Sequence, residues 1–285
     1  MPVMKPKKNS FTLGGKPIVS IVPAKTNLKE SILSCVNALG GFEKIIKKGD
    51  RVLVKPNLNS DDPFPASTSP DMGRALTELL FEFGASEVVW AESSGLYWLP
   101  TDRAWNLGLR EQVERANGRT LSLEKMEWVY CPVPDWGRMA FTKTAFDYDK
   151  LIWLPCLKTH RLAEFSLSLK LIFGWIHLKD RFRMHENLQK GIADVNTVIH
   201  PDLVLMDGRK AFITGGPAKG DLVEPNLLLA SADRIALDVE GIKVLQSFPG
   251  NSLNKNPWSY TQISKAVELG LGSKTEKDYA VKRLS

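Results

Sequence analysis

Cysteine is scarce in this sequence. The 285 residues include three cysteines, Cys35, Cys131 and Cys156, and none of them belongs to a Cys-x-x-Cys pair. Three isolated thiols cannot cross-link a secreted fold, and they cannot supply the four thiolates that usually hold an iron–sulphur cluster. We therefore expect no iron–sulphur cluster bound by this chain alone, and a reducing, cytoplasmic location. The cofactor stays unknown at this stage.

Long apolar runs are also missing. The longest one, residues 167–178, is interrupted by Lys170 and is too short to cross a bilayer. The first residues are basic with no apolar run behind them, which predicts a flexible basic arm over residues 1–15 instead of a signal peptide. The net charge of +6 is modest and spread along the chain. We expect no membrane partner, and nucleic acid is an unlikely one.

The sequence contains neither of the common nucleotide-binding loops, Gly-x-Gly-x-x-Gly and Gly-x-x-x-x-Gly-Lys-Ser/Thr. A glycine-rich stretch, residues 215–220, could wrap an anion with its backbone N–H groups and Lys219, or it could be a tight connection. His185, Asp194 and His200 have no recognised metal-ligand spacing, so we predict no metal site.

The sequence does contain apolar runs that alternate with helical patterns. Continuous apolar character predicts strands covered on both faces, as in parallel sheets. These runs are residues 51–54, 88–91, 151–154, 203–206 and 227–230, with an edge strand expected at 18–22. Helical patterns cover residues 27–40, 69–84, 162–176, 187–199, 234–248 and 260–269.

Strand–helix alternation predicts the fold class. We expect a three-layer α/β/α fold with a mostly parallel sheet, forming a single domain over residues 16–285. Residues 95–147 fit this pattern worst because they are rich in tryptophan, proline and glycine. We interpret them as an irregular insertion or a lid-like subdomain.

Polar residues follow the predicted strands. Ligands of open α/β sheets bind beyond the carboxyl ends of the strands, so these side chains are expected to form one site, although each alone would pass for a solvated loop residue. The polar residues at these ends are Lys55, Asn57, Glu92, Ser93, Ser94, Lys158, Thr159, His160, Asp207 and Asp233.

Lys158-Thr159-His160 is the most informative of these clusters. A lysine and an imidazole that lie close together lower each other's proton affinity, which suits a proton donor or acceptor near neutral pH. A helix is predicted to begin a few residues later, and its free N–H groups could help to hold a carboxylate or a phosphate. A helix cap with an exposed lysine and a hydrogen-bonded histidine explains the cluster equally well.

Short motifs follow one another in order between Lys48 and Leu245. They include Val54-Lys55-Pro56-Asn57, Glu92-Ser93-Ser94, Leu157-Lys158-Thr159-His160, Ser168-Leu169-Lys170, Phe173-Gly174, His185, Asp207-Gly208 and Gly216-Pro217. In these motifs the chain resembles the domain of unknown function 362 family, known for its association with iron–sulphur proteins. The resemblance implies a link to electron transfer or reductive chemistry, but this chain lacks the cluster motif of its relatives. Either a separate iron–sulphur protein supplies its electrons, or its chemistry is not redox. Leu171 departs from the family, in which an asparagine usually follows the lysine matched by Lys170.

Our leading hypothesis is an enzyme that acts on a small anionic substrate, either an oxidoreductase or a proton-transfer enzyme of the lyase or isomerase class. The catalytic candidates are Lys158, His160, Asp207 and Glu92, with His160 moving a proton and a carboxylate orienting it or serving as the opposing base. The substrate-binding candidates are Lys55, Asn57, Ser93, Ser94, Thr159, Lys170, His185, Gly216, Lys219 and Asp233. The alternative is a non-catalytic binding protein for a small anionic ligand or cofactor.

Overall fold

A mixed, mostly parallel sheet forms the centre of the protein. The structure is a computed structural model that describes residues 3–58, 60–93 and 105–284. Its strands are β1 (Thr12–Leu13), β2 (Lys16–Pro23), β3 (Arg51–Lys55), β4 (Glu87–Glu92), β5 (Arg119–Ser122), β6 (Trp128–Val133), β7 (Gly137–Thr142), β8 (Lys150–Trp153), β9 (Cys156–His160), β10 (Glu164–Ser166), β11 (Leu203–Phe212), β12 (Leu222–Val223), β13 (Leu227–Ser231) and β14 (Ala280–Arg283).

Helices cover both faces of this sheet. They are α1 (Leu28–Leu39), α2 (Pro70–Glu82), α3 (Leu109–Arg115), α4 (Ser168–Leu171), α5 (Leu178–Arg183), α6 (Leu188–Val195), α7 (Arg234–Gln246) and α8 (Thr261–Glu268). The side chain of Asn27 accepts hydrogen bonds from the N–H groups of Lys29 and Glu30, which starts α1 at the predicted position. Pro70 opens α2, where its missing N–H costs nothing.

The main sheet has the strand order β1-β2-β13-β11-β8-β3-β4-β5. Within the run β11-β8-β3-β4-β5, each strand is parallel to the next one. Val52 and Val54 of β3 pack into one buried cluster together with α1 and α2, whereas Leu53 packs into another together with α6 and α7. Because successive strand residues point to opposite faces, the strand is covered on both sides. The α/β fold with a mostly parallel sheet is confirmed.

One predicted parallel strand runs in the opposite direction. Strand β13 pairs antiparallel with both β11 and β2, so the interpretation of residues 227–230 as a further parallel strand was wrong. The connection from β11 contains the two-residue strand β12 but no helix, and parallel neighbours need a crossover connection. The predicted edge strand, residues 18–22, lies between β13 and β14 and is therefore internal.

Part of the predicted irregular insertion, residues 95–147, is regular. Helix α3 places Leu109 and Val113 in the same buried cluster as α2, and β5 extends the main sheet in parallel beside β4. Strands β6 and β7 form a separate antiparallel hairpin. The short edge strand β5 is only partly buried, so its apolar pattern was too weak to recognise. Residues 94–104 lie outside the described residues.

The parallel sheet divides after β8. Strand β8 pairs with β3 and with the start of β11, whereas β9 pairs with the end of β11 and with β10. Leu154 and Pro155 separate the two strands, and Pro155 has no N–H to continue the hydrogen-bond ladder. The sequence interpretation of Lys158-Thr159-His160 as a loop was wrong, since these residues form the end of β9. The divergence opens a space between β9 and the ends of β3 and β4.

The helix predicted over residues 162–176 is also shorter than expected. Its first part is strand β10, and α4 covers only Ser168–Leu171 before a 3-10 turn takes over. The carboxylate of Asp238 on α7 accepts hydrogen bonds from the N–H groups of Ser168 and Leu169, at 2.8 and 3.0 Å. This buried carboxylate fixes the start of α4, and with it the position of Lys170.

The N-terminal residues contact the domain. The N–H of Met4 donates to the carbonyl of Val198 at 3.0 Å, and the side chain of Phe11 is fully buried. These contacts disagree with the expectation of a flexible arm over residues 1–15, because a buried aromatic ring holds its segment against the core. The domain bounds 16–285 stay a prediction. In the described ranges, no helix is long and apolar enough to cross a membrane.

Candidate functional site

A cavity of about 360 Å³ lies where the sheet divides. Residues from the ends of β3, β4 and β9 line it together with residues of α4, α5 and the turns between them. Seven of the predicted site residues line this cavity, namely Asn57, Glu92, Ser93, Lys158, His160, Lys170 and His185. Five of them, Asn57, Glu92, Ser93, Lys158 and His160, belong to or closely follow the ends of β3, β4 and β9, whereas Lys170 and His185 come from helical turns.

A buried ion pair forms one wall. The Nζ of Lys55 lies 2.6 Å from Oε2 of Glu92, and both side chains are almost completely buried. Burial is the largest influence on each group: it raises the pKa of Glu92 and lowers that of Lys55, while their mutual attraction acts in the opposite direction. Glu92 lines the cavity, whereas Lys55 does not line it and contacts Glu92 through the ion pair.

Gly174 makes room for this ion pair. A Cβ atom at position 174 would lie 1.6 Å from Oε1 of Glu92 and 2.7 Å from Nζ of Lys55. The neighbouring side chains are held in turn: the hydroxyl of Ser93 donates to the carbonyl of Gly174 at 2.6 Å, and the guanidinium of Arg181 donates to the same hydroxyl. Through these two hydrogen bonds, Gly174 and Arg181 hold the residue after β4 close to α5.

Two lysines bring positive charge to the cavity without a carboxylate partner. Lys158 is fully buried and donates to the carbonyl of Ala66, and within the described ranges neither it nor Lys170 forms an ion pair. Burial lowers the pKa of Lys158 to about 8. Burial lowers the pKa of Lys170 to about 7, and the charges of Lys158 and Arg181 act in the same direction.

His160 is held as a neutral imidazole. Its Nδ1 accepts hydrogen bonds from the N–H groups of Leu162 and Ala163, at 3.2 and 3.1 Å, so the ring proton resides on Nε2. Burial, followed by the charges of Lys170 and Lys158, lowers the pKa of His160 to about 2. Burial and the neighbouring cations thus act against a titration of His160 near neutral pH, the behaviour expected from the sequence. Among these side chains, Lys158 and Lys170 are the ones whose pKa values lie near neutral pH.

Apolar side chains complete the lining. Leu58, Leu171 and Leu188 are buried, whereas Leu162 and Phe182 are about half exposed. Leu171, which departs from the family pattern, contributes an apolar surface next to Lys170 instead of an amide. The site thus combines a basic group of side chains with an apolar remainder, the usual composition of a small-molecule cavity.

Asp207 lies apart from this cavity. It belongs to β11 instead of following it, and its carboxylate binds the guanidinium of Arg209 at 2.8 Å. Arg209 also pairs with Asp71, at 2.6 Å. Asp207 forms no hydrogen bond with His160 in the described ranges, so the structure does not bring these two predicted residues together. The side chain of Thr159 does not line the cavity either, because its hydroxyl donates to the carbonyl of Phe212.

The glycine-rich stretch behaves as a tight connection. The N–H of Gly216 donates to the carbonyl of Lys219 at 2.7 Å, and a Cβ at position 216 would lie 2.0 Å from the carbonyl oxygen of Thr159. Lys219 is exposed and does not line the cavity, although Pro217 does. The backbone of this loop therefore packs directly against the end of β9. Ser94, another candidate, lies outside the described residues.

Asp233 lies outside this cavity. Because β13 is antiparallel to β11, the residues that follow it emerge beside the start of β11, where Ser231 pairs with Val204. The carboxylate of Asp233 caps α7 by accepting from the N–H of Ala236, and it also accepts from Ser273. The structure therefore does not bring Asp233 together with the predicted site residues that line the cavity. In the part of the chain that the structure describes, no three His, Cys, Asp or Glu side chains could jointly hold a metal ion.

Sequence analysis missed two residues that shape the site. Arg181 was not among the predicted site residues, yet its guanidinium is buried and donates to the carbonyl of Ile176 at 2.7 Å. Gly174 was noted within a motif, but nothing in the sequence tells that its missing side chain accommodates Glu92. Both depend on contacts between distant segments, which no local pattern records.

We expect Gly174→Ala to destabilise the protein, because the new methyl group would displace the buried carboxylate of Glu92. Overpacking of this kind costs about 1–3 kcal/mol, measurable as the loss in free energy of unfolding in urea. The double variant Gly174→Ala/Glu92→Ala is the matched control and should cost no more than Glu92→Ala alone. Strictly additive losses would contradict the proposed clash.

We also expect His160 to remain neutral between pH 5 and 8, with its proton on Nε2. The pKa of about 2 and the two backbone donors to Nδ1 both require this. Two-dimensional ¹⁵N NMR of the imidazole nitrogens measures the tautomer and the protonation state directly. A His160 titration midpoint within this pH range, or a proton on Nδ1, would show that the interpretation is mistaken.

Comparisons with known proteins give the family context. The sequence pattern of the family described as "Domain of unknown function (DUF362)" matches residues 52–243. A thylakoid-associated protein of Synechocystis sp. is 31% identical over 249 residues, which cover 78% of this chain and 71% of that protein. The family match includes the strands that carry the cavity.

Solved structures with a related arrangement are more distant. A protein from Thermotoga maritima aligns with a TM-score of 0.49 at 11% identity, over 77% of this chain. The lactate racemase apoprotein from Thermoanaerobacterium thermosaccharolyticum aligns with a TM-score of 0.47 at 12% identity, over 82% of this chain. The alignments cover 57% of each of those two chains. On the family match and the identity with the Synechocystis protein, this chain belongs to the DUF362 family of domains of unknown function.

Proposed function

We propose that the cavity binds a small carboxylate and that Lys170 transfers a proton to or from it. The observation that carries this proposal is the pair of lysines, Lys158 and Lys170, that line one cavity without an ion-pair partner among the described residues. A charged group taken out of water is costly unless it is paired. A bound anion would supply the missing charge.

The remaining polar groups suit the same ligand. The side-chain amide of Asn57 is 8% exposed and lines the cavity, with no hydrogen-bond partner among the residues described. The neutral imidazole of His160 offers an N–H donor at Nε2. Donors of this kind, fixed in place before the ligand arrives, hold a carboxylate without reorganisation. We assign the carboxylate to Lys158, His160 and Asn57.

Proton transfer is assigned to Lys170 because of its lowered pKa. A general acid or base works best when its pKa lies near the operating pH, and that of Lys170 is about 7. As the free amine, Lys170 would accept a proton from the carbon next to the carboxylate, and the electron pair would move onto the carboxylate as an enediolate. Lys158 and His160 would stabilise the added negative charge. The ammonium of Lys170 then returns a proton to carbon.

A binding protein without chemistry is the second candidate. Leu171 favours it, because an apolar side chain beside Lys170 leaves fewer polar groups to assist a reaction. The separate iron–sulphur partner and redox chemistry stay predictions from the family resemblance. We also propose a cytoplasmic, reducing location, which the three free and buried thiols support.

The proposal predicts a pH-dependent affinity for carboxylates. Butyrate stays ionised between pH 6 and 9, whereas the pKa values of Lys170 and Lys158 are about 7 and 8. Both lysines lose their charge as the pH rises, so butyrate should bind tightest at pH 6 and roughly tenfold or more weaker at pH 9. Isothermal titration calorimetry across this range measures the effect.

Variants separate this site from general charge effects. Lys158→Met should weaken butyrate binding roughly tenfold or more at pH 7, the loss typical of a charge-assisted hydrogen bond. Lys219→Met is the matched control, because Lys219 is exposed and outside the cavity. Equal losses in the two variants, or an affinity that is unchanged from pH 6 to 9, would contradict the proposed anion site.

Deuterium exchange tests the proton-transfer step. The full-length protein is incubated in D₂O with a mixture of small metabolic carboxylates, and mass spectrometry follows deuterium bound to carbon. We expect incorporation into at least one carboxylate, its loss in Lys170→Arg, which keeps the charge but cannot act as a base near pH 7, and no change in Lys219→Arg. If carboxylates bind and none gains deuterium, the binding protein is the correct alternative.

A further inference from the structure

The lining of the cavity changes from polar to apolar between its inner wall and its mouth. Lys158 and His160 are 0% and 9% exposed, whereas Leu162 and Phe182, which line the same cavity, are 54% and 49% exposed. Side chains that reach bulk solvent stand at the opening. Lys158 and His160 are therefore at the inner end, and two large apolar side chains, Leu162 and Phe182, stand at the entrance beside the exposed ring of His185.

Further apolar side chains connect the two ends. Leu171 is 6% exposed and sits next to Lys170 in sequence, and Phe173 and Leu178 are partly buried. All three line the cavity together with Leu58 and Leu188. A single exposed leucine needs no explanation, but apolar side chains that continue from a buried basic group to an exposed mouth form a path for an apolar chain.

We propose that the ligand of this cavity is a single-chain aliphatic carboxylate, with its head group at Lys158 and its chain running toward Leu162 and Phe182. This inference rests on the proposed function, whose anion site it extends to a substrate class. A two- or three-carbon acid would leave most of the 360 Å³ cavity and its apolar wall in contact with water. A longer chain removes that wall from water.

The charges favour a carboxylate over a phosphate head group. Glu92 is already paired with Lys55. The proposed proton transfer needs Lys170 as the free amine, so Lys158 is the lysine left to face the head group without an ion-pair partner among the described residues. A carboxylate carries one charge, which matches the inner lysine more closely. The ligand class is therefore a monoanion with an apolar tail.

Calorimetry with a series of acids tests the inference. We expect the affinity of the full-length protein to rise from acetate through butyrate and hexanoate to octanoate, by roughly three- to fourfold for each methylene that leaves water. Octylamine, with the same chain and a positive head group, should bind at least tenfold more weakly than octanoate. Octyl phosphate should also bind more weakly than octanoate.

Variants at the mouth locate the chain. Leu162→Ser and Phe182→Ser should each weaken octanoate binding several-fold and leave acetate binding unchanged. Leu222→Ser is the matched control, since Leu222 is 51% exposed on β12 and does not line the cavity. Leu171→Asn, similar in volume but polar, should weaken octanoate binding from a buried position. Thermal unfolding of each variant verifies that it is folded.

The outcomes separate this inference from the proposed function. If acetate and octanoate bind equally well, or if Leu222→Ser costs as much as Leu162→Ser, the aliphatic chain is wrong and the anion site stands. If octyl phosphate binds more tightly than octanoate, the carboxylate head group is wrong. If no acid in the series binds, or octylamine matches octanoate, the anion site itself fails and both proposals fall.

Discussion

The parting of the sheet after β8 is the constraint on which the rest of the site depends. Strand β11 is long enough to pair first with β8 and then with β9, while β3 can follow only β8. Pro155 lies between β8 and β9 and cannot donate to a ladder, so the chain moves away from β3 at this point. The ends of β3 and β4 then face β9 across a gap, and helices α4 and α5 close it from the side.

The electrostatics of the site follow from this geometry. The gap removes water from several cations, but among the described residues only Lys55 of the three lysines at the site has a carboxylate partner. Lys158 and Lys170 remain cationic groups whose pKa values have been lowered into the physiological range. Desolvated cations without a counter-charge lower the stability of the protein. Such destabilising groups are common where a ligand supplies the compensating charge.

Contacts from distant parts of the chain hold the residues that line the cavity. Asp238 on α7 fixes the start of α4, so it positions Lys170 without reaching the cavity. Gly174 leaves space for Glu92, and the end of β4 is held by Ser93 and Arg181. The groups that would touch a ligand are therefore held by a second set of residues from other elements. Precise placement of this kind is what binding and proton transfer require.

The sequence by itself determined the main elements, because continuous apolar runs, the Asn27 cap and Pro70 act over a few residues. It also identified most of the polar side chains that line the cavity, in part because residues at the ends of parallel strands meet at one edge. Its errors share a cause. Asp233 was misplaced because strand direction depends on pairing with β11, and Lys158-Thr159-His160 looked like a loop because buried polar strand residues have no apolar pattern.

Only the tertiary structure decided how the site is charged and which residues act together. The pairing of Asp207 with Arg209 removed it from the site, and two backbone N–H groups kept His160 neutral. The pKa of Lys170 is set by burial and by cations from other elements. Desolvation and Coulomb interactions depend on distances in space, and residue order along the chain carries no measure of those distances.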